Sequence, residues 1–282
     1  MAEFIKSPLN YTGGKYKLLP QIYKFFPKRI NNFVDLFAGG LDVSINVKAK
    51  HTYCNDINNY VIGIYQAFQE LTIDELLEKI DKTIKDNNLS STNQEAYIEF
   101  RNKYNETKDP LDLYVLVCYS FNYQFRFNGN HEYNNPFGKD RSSFNPVMRQ
   151  NLINMHNRIT GYNFQNMNFK DYDFSSLGAG DFVYCDPPYL ISCGAYNDGK
   201  RGFEGWSADD DKKLFEILDK LDKQGVKFAL SNVIEHKGEK NEALIEWKKK
   251  YHTHKINFNY NNSNYQAKNK ENKTVEVLIT NY

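Results

Sequence analysis

The residues with the clearest chemical meaning are Asp186-Pro187-Pro188-Tyr189, which follow the apolar run Phe182-Val183-Tyr184-Cys185. Two prolines donate no backbone hydrogen bonds, so they cannot continue a central strand. They make a stiff exit at the carboxyl edge of a sheet, where α/β proteins bind their ligands. The exit presents a carboxylate, carbonyl oxygens without competing strand partners, and an aromatic face. That set suits an amino nitrogen on a planar ring. Such an amine is a poor nucleophile because its lone pair is delocalised into the ring. A carboxylate and a carbonyl accepting its two N–H bonds favour a pyramidal nitrogen and aim the lone pair, while the aromatic ring stacks on the base.

A second group surrounds Phe33 to Asp56. The run Phe33-Val34-Asp35-Leu36-Phe37 enters Ala38-Gly39-Gly40, and Thr52-Tyr53-Cys54-Asn55 ends in Asp56, followed by Ile57. Glycines after a strand let a ligand approach the backbone, and an acid ending the next strand can hold two ribose hydroxyls. The full G-x-G-x-x-G spacing is absent, so a plain glycine turn stays open as the alternative. A third group is Asn10-Tyr11-Thr12-Gly13-Gly14-Lys15. A phosphate loop is excluded here, because the upstream glycine is missing and Tyr16 stands where a Ser or Thr should hold magnesium. A turn before a helix is the simpler reading.

The fourth group is the stretch from Tyr119 to Arg149. It interleaves Arg126, His131, Lys139, Arg141 and Arg149 with Tyr123, Phe125, Phe127, Tyr133 and Phe137, among amides such as Asn128 and Asn135. This mixture suits phosphate contact, base-edge readout and intercalation; a solvated loop is the alternative. The lysines of His236 to Lys255 read as a solvated helix face or a phosphate-contacting edge.

The elements that must position these groups follow from periodicity. Strand, glycine turn, helix over Asp42 to Lys50, strand, acid, and helix from Asn58 to about Glu70 make the βαβ pattern of a nucleotide-binding sheet. From Ile73 to about Tyr123 the apolar residues recur at helical spacing (Leu76, Leu77, Ile80; Tyr97, Phe100, Tyr104; Leu113, Leu116, Val117), with a polar loop over Asn87 to Asn93. Tyr123 to Arg149 reads as an ordered irregular loop or small hairpin. Asp181 to Cys185 restores the sheet. Ser207 to Gln224 is a helix with Ser207 as N-cap and Asp209, Asp210 and Asp211 in its first turns. Val226 to Ser231 is a strand and Glu242 to Lys250 a helix. His252 to Tyr260 and Thr274 to Thr280 alternate as a closing antiparallel hairpin.

Composition sets the bounds. The 282 residues suit one large domain, or a core domain carrying an inserted one, and the 40% apolar fraction fills a sizeable core. A net charge of +1 means that any polyanion-binding surface is a local patch. Cys54, Cys118, Cys185 and Cys193 form no Cys-x-x-Cys pair and have no His at ligand spacing, so neither a metal site nor a disulfide framework is expected. Cys54 and Cys185 sit in apolar runs and read as buried, inert thiols. No signal-peptide apolar core is present at the start, and Leu111 to Phe121 is too short to span a bilayer, so a soluble, intracellular (cytoplasmic) protein is expected.

Taken together, these segments resemble the Dam-type, DpnM-like family (D12 class, α group) of DNA adenine-N6 methyltransferases. The resemblance runs nearly end to end. It is carried by Tyr11-Thr12-Gly13-Gly14-Lys15, Asp35-Leu36-Phe37-Ala38-Gly39-Gly40, Asn55-Asp56-Ile57-Asn58, Phe121-Asn122-Tyr123, Asn135-Pro136-Phe137-Gly138, Asp181 to Tyr189 and Val277 to Tyr282. It implies an α/β fold, the class I S-adenosylmethionine-dependent (Rossmann-like) mixed seven-stranded sheet with an inserted, mainly helical target-recognition domain. On that template residues 1–58 and 163–282 form the catalytic part and 59–162 the insertion.

The implied cofactor is S-adenosyl-L-methionine and the implied partner double-stranded DNA. A cognate restriction endonuclease acting on the same site, or an orphan or phage role, would go with it. By position, Asp186 is similar to the catalytic acid, Pro187 and Pro188 to its turn, and Tyr189 to the ring that stacks on the base. Tyr11, Gly13, Gly14, Lys15, Asp35, Phe37, Gly39, Asp56, Ile57 and Asp186 match cofactor-binding segments. Asn10, Tyr123, Arg126, Asn128, Asn135, Pro136, Phe137, Lys139 and Arg141 match segments that touch DNA.

Three departures stand out. Tyr11 replaces a more usual Trp, Leu41 replaces a third glycine, and Asn10 stands where GATC-methylating members have a guanine-reading lysine, which leaves GATC a candidate only. Amino methylation of cytosine N4 or of an RNA adenine, and a non-catalytic DNA-binding module, remain alternatives.

Overall fold

The computed structural model describes residues 4–191, 205–257 and 274–282. Cys193 and the end of the strand expected to reach Tyr260 lie outside the described residues. A short helix α1 (Leu19–Ile22) with Pro20 in its first turn leads to β1 (Asn32–Asp35) and β2 (His51–Asn55). These strands run parallel, with Phe33 opposite Thr52 and Asp35 opposite Cys54.

The helix expected over Asp42 to Lys50 shrinks to one 3-10 turn, Ser44–Asn46, before Val47 turns extended. The physical reason is local. The Asn46 side-chain amide takes the Asp42 carbonyl at 2.7 Å, which the backbone would use to continue an α-helix, and it also binds the Ile5 carbonyl.

Helix α2 (Asn59–Gln69) starts at Asn58, whose side chain accepts from Tyr60 and Val61 backbone N–H groups. Three helices follow: α3 (Ile73–Asp86), entered through a Thr72/Glu75 capping box; α4 (Gln94–Thr107), capped by Asn93; and α5 (Pro110–Tyr119), capped by Asp109 with proline at its first position. The stretch read as irregular through Arg149 ends sooner, because α6 (Pro146–Ile159) begins at an Asn145 cap and buries Met148, Leu152, Met155 and Ile159. The three-residue β3 (Asn163–Gln165) then pairs with β2.

Strand β4 (Phe182–Cys185) inserts between β1 and β5 (Lys227–His236), parallel to both. Helix α7 (Ala208–Lys223) has the expected Ser207 cap, with Asp210 completing a capping box. The two-residue β6 (Glu239–Lys240), α8 (Glu242–Trp247), β7 (His252–Ile256) and β8 (Thr274–Thr280) finish the chain. The sheet order is β3-β2-β1-β4-β5-β8-β7, with β6 beside β5, and β8 runs antiparallel to both neighbours. This is the expected mixed sheet, with one added two-residue strand.

Helices α7 and α8 cover one face through Leu214, Leu218 and Trp247 against Val34, Val183 and Phe228. The inserted helices do not build a separate core. Leu41, Ile45 and Cys54 of the sheet region share one apolar cluster with Tyr65, Tyr97, Tyr104 and Met155. A continuous core of this kind holds the insertion at a fixed position beside the sheet edge. Among the described residues, no helix is long and apolar enough to cross a membrane.

Candidate active site

The parallel strands β1, β2 and β4 bring Asp35, Asp56 and Asp186 to their carboxyl ends, around one cavity of about 280 Å³. Residues of three segments distant in sequence line it: Tyr11 to Lys15, Asp35 to Gly40, and Asp186 to Tyr189. The expected catalytic and cofactor residues are therefore placed together.

Asp186 is held from two sides. Lys15 Nζ lies 2.8 Å from its Oδ2, and Tyr189 Oη donates to its Oδ1 at 2.8 Å. Lys15 is buried, donates also to the Gly13 carbonyl at 2.9 Å, and sits 5.2 Å from the Tyr189 ring centroid, a cation–π distance. The lysine expected as a cofactor contact thus reaches the catalytic-type acid directly.

Close packing around Tyr11 explains the glycines. A Cβ on Gly40 would lie 2.9 Å from Tyr11 Cβ, and one on Gly14 would lie 2.7 Å from Asp42 Oδ2. The Tyr11 hydroxyl accepts from Asn58 Nδ2 at 3.1 Å. Leu41, the residue in the third-glycine position, keeps the left-handed backbone a glycine would supply, at φ +63°. That conformation costs a leucine about 1–2 kcal/mol; full burial of its side chain offsets it.

Asp56 accepts from Asn58 N through Oδ1 and from Gly39 N through Oδ2, each at 2.8 Å. Burial raises its pKa, and these two backbone bonds pull it back. Each oxygen keeps a further lone pair, which matches a pair of ribose hydroxyls. Ile57 stands beside it on the rim, 45% exposed, an apolar face for a flat ring.

Burial dominates at Asp35, raising its pKa to about 7 against the pull of the Ser44 hydroxyl, with Asp186 and Asp56 adding repulsion. Its Oδ1 is buried and makes no hydrogen bond of normal geometry, although the Phe37 backbone N–H also pulls its pKa down. A buried carboxylate so weakly satisfied beside a cavity fits a cationic donor such as the ammonium of an amino-acid moiety. The residues present therefore fit a nucleoside joined to an amino acid: Asp56 for the sugar, Ile57 for the base, Asp35 for the ammonium.

Sequence reasoning missed part of the wall. Phe169 and Trp206 close it beside Phe37, with ring centroids 5.1–5.6 Å apart. Phe125 and Phe127, assigned to the recognition stretch, also line the cavity; Phe127 stacks on Tyr60 at 4.1 Å. Their signal in the sequence is only aromatic richness. Cys54, Cys118 and Cys185 are buried, and burial raises each thiol pKa, so they are inert as nucleophiles.

The stretch from Tyr119 to Arg149 is held together largely by its own residues. Residue pairs Ser120–Phe137 and Phe127–Tyr133 form isolated antiparallel bridges. Arg126, Pro136, Lys139 and Arg141 are exposed, as is Phe121 at 47%. Asn10 is exposed and donates to the Asn122 carbonyl at 2.8 Å, and Tyr123 Oη donates to the Arg141 carbonyl at 3.1 Å. Phe137 is half-buried against Tyr97.

Two of the amides expected to touch DNA have partners within the protein. Asn135 is buried and donates to the Phe121 carbonyl, while its own carbonyl accepts from Tyr97 Oη. Asn128 closes a turn: its Oδ1 accepts from Asn130 and Glu132 N–H groups, and its Nδ2 donates to Glu132. Both amides are engaged inside the protein.

A mixed sheet of this order, with three strand-end acids around one cavity, has the class I S-adenosylmethionine-dependent methyltransferase fold. The chain belongs to the D12 class N6 adenine-specific DNA methyltransferase family, whose model matches residues 11–275. It is 50% identical over 281 residues to the type II methyltransferase M.FokI of Planomicrobium okeanokoites, covering 99% of this chain and 43% of that protein. It is 48% identical over 284 residues to the modification methylase StsI of Streptococcus sanguinis, again covering 99% and 43%. The DNA adenine methylase of Escherichia coli (strain K12) is 25% identical over 228 residues, 79% of each chain. The chain thus spans less than half the length of the first two relatives.

Proposed function

We propose that the protein transfers a methyl group from S-adenosylmethionine to N6 of an adenine flipped out of duplex DNA. The observation that carries this reading is the convergence of Asp186, Lys15 and Tyr189 on the cavity that also holds Asp35 and Asp56. S-adenosylmethionine, when bound, supplies a methyl already activated by its sulfonium. Asp56 holds the ribose hydroxyls, Asp35 the ammonium, and Phe37, Phe169 and Trp206 exclude water from the apolar side of the cavity.

The target amine would donate to the Asp186 carboxylate and to the Pro187 carbonyl, which localises the N6 lone pair for in-line attack on the methyl carbon; the methyl–sulfur bond breaks to leave a neutral thioether, and the surplus N6 proton passes by way of Asp186 to solvent. Tyr189 stacks on the base, and Lys15 keeps Asp186 oriented through their ion pair. Residues 59–162 serve as the recognition part, with Arg126, Lys139 and Arg141 on phosphates and exposed Phe121 beside them. The names of the M.FokI and StsI relatives support a modification role alongside a restriction enzyme, inside a cell.

The test is transfer of labelled methyl to duplex DNA by the protein and by Asp186→Ala. The expected result is transfer that falls by at least about 100-fold in the variant, since a group aimed at the reacting centre contributes on that order, while circular dichroism at the assay temperature still shows a folded protein and the loss of the partner of buried Lys15 lowers the thermal midpoint. Full transfer by Asp186→Ala would sink the assignment.

A further inference from the structure

The ring of Tyr189 has an expected role; its hydroxyl points to another residue. Tyr189 Oη lies 2.8 Å from Asp186 Oδ1 and 3.2 Å from Glu276 Oε1. A phenol carries one proton and donates to one of these acceptors at a time. Burial first, then the neighbouring Asp186 and Glu276 carboxylates, raise the Tyr189 pKa, so the phenol stays protonated. With Lys15 on Oδ2, both Asp186 oxygens are engaged by the chain's own groups. Each oxygen keeps a further lone pair, so an amine that comes to Oδ1 shares that oxygen with the phenol, and the two bonds weaken each other.

Glu276 supplies the way out. It is 3% exposed and sits in β8 between Val275 and Val277, facing Val233 of β5 and Ile256 of β7. Because both acceptors lie within reach of the same oxygen, exchange between them needs only rotation of the hydroxyl hydrogen. The tyrosine ring stays where it is.

We propose that Glu276 is a positioning residue for amino methylation: it takes the Tyr189 hydroxyl bond when a substrate amine engages Asp186. This rests on the methyl-transfer reading above. Without Glu276, the phenol remains on Asp186 and opposes the amine. Sharing Oδ1 weakens the bond of the amine to a charged group, and losing most of the worth of such a bond slows the step by about tenfold.

The test is a double-variant cycle with single-turnover methylation of duplex DNA. The variants are Glu276→Leu, Glu276→Gln, Tyr189→Phe and Tyr189→Phe/Glu276→Leu, with cofactor affinity measured by calorimetry. Glu276→Leu should slow transfer by about tenfold with cofactor affinity unchanged. Glu276→Gln, which keeps a carbonyl acceptor, should recover most of the rate. In the Tyr189→Phe background, which has no hydroxyl to redirect, Glu276→Leu should add less than about a twofold loss.

Equal losses in both backgrounds, or equal losses for Gln and Leu, would overturn the proposal in favour of a packing role. Should Tyr189→Phe itself be too slow to measure, the Gln-against-Leu ranking decides alone. An unaltered protein that methylates no DNA adenine overturns the functional reading and this proposal with it. An active unaltered protein with the wrong variant pattern overturns only the proposal.

Discussion

Replacing Asp35 by Asn separates what this residue does for the fold from what it does for the ligand. Its carboxyl is raised from an ordinary 3.8 to about 7, chiefly by burial. A carboxyl with a raised folded-state pKa favours the folded protein fully below its unfolded pKa. That advantage is lost as pH rises towards the folded pKa, because the buried group must then ionise. Over pH 5 to 8 the shift corresponds to a loss of about 2–3 kcal/mol of stability attributable to Asp35.

The amide introduced by Asp35→Asn does not ionise. Any fixed cost of placing it beside Ser44, such as a donor left without a partner at the Oδ1 position, is the same at both pH values and cancels in the comparison. Urea denaturation of cofactor-free protein and Asp35→Asn at pH 5 and pH 8 measures the difference directly. The variant should gain about 2–3 kcal/mol relative to the original protein between the two conditions. Its affinity for S-adenosylmethionine at pH 8 should fall by about 10–100-fold, the worth of one charge-assisted bond. A stability difference that does not change with pH would refute the burial argument, and an unchanged affinity would refute the ammonium assignment.

Two further outcomes follow from packing and charge. Gly40→Ala places a Cβ 2.9 Å from Tyr11 Cβ, so cofactor affinity should fall about tenfold and stability by about 1–3 kcal/mol; calorimetry and urea titration read both, and wild-type values for both would contradict the geometry. Single alanine substitutions at exposed Arg126, Lys139 and Arg141 should weaken DNA binding and lower the slope of log affinity against log salt by about one each. The same titration of Asn128→Ala should leave that slope unchanged, since its side chain is engaged in a turn.

The centre of the sheet is readable from sequence because β1, β2 and β4 are short runs ending in Asp35, in the Asn55-Asp56 pair and in Asp186, with glycines soon after β1 and prolines directly after β4. Helix α7 is equally plain, with its serine cap and acidic first turn. Other elements carry a weaker or misleading signature. Strand β3 has three residues, too few for an alternation, and exists through its pairing with β2. The Asp42 to Lys50 segment has helical composition, yet Asn46 claims the Asp42 carbonyl. Helix α6 does announce itself, through Asn145-Pro146 and the spacing of Met148, Leu152, Met155 and Ile159, but its start overlaps a segment read for its chemistry.

At the site, motif spacing locates Asp186, Lys15 and Asp56 but not their mutual contacts. The Lys15–Asp186 pair spans residues remote in sequence and depends on the whole sheet. Composition shows Asn128 and Asn135 as amides but not their bonds to Glu132 and to the Phe121 carbonyl, which only the folded chain creates. Glu276 is hidden in the same way, as one acid in an apolar strand whose reach to Tyr189 only the fold creates.

The most direct measurement is mass spectrometry of nucleosides from duplex DNA and from RNA incubated with the protein and methyl-labelled S-adenosylmethionine. Membership of the adenine-specific family, together with the arrangement of Asp186 and Tyr189, predicts labelled N6-methyladenine from the DNA, absent when Asp186 is replaced by alanine. Label on cytosine N4, label on RNA alone, or no label in any nucleoside would contradict the account.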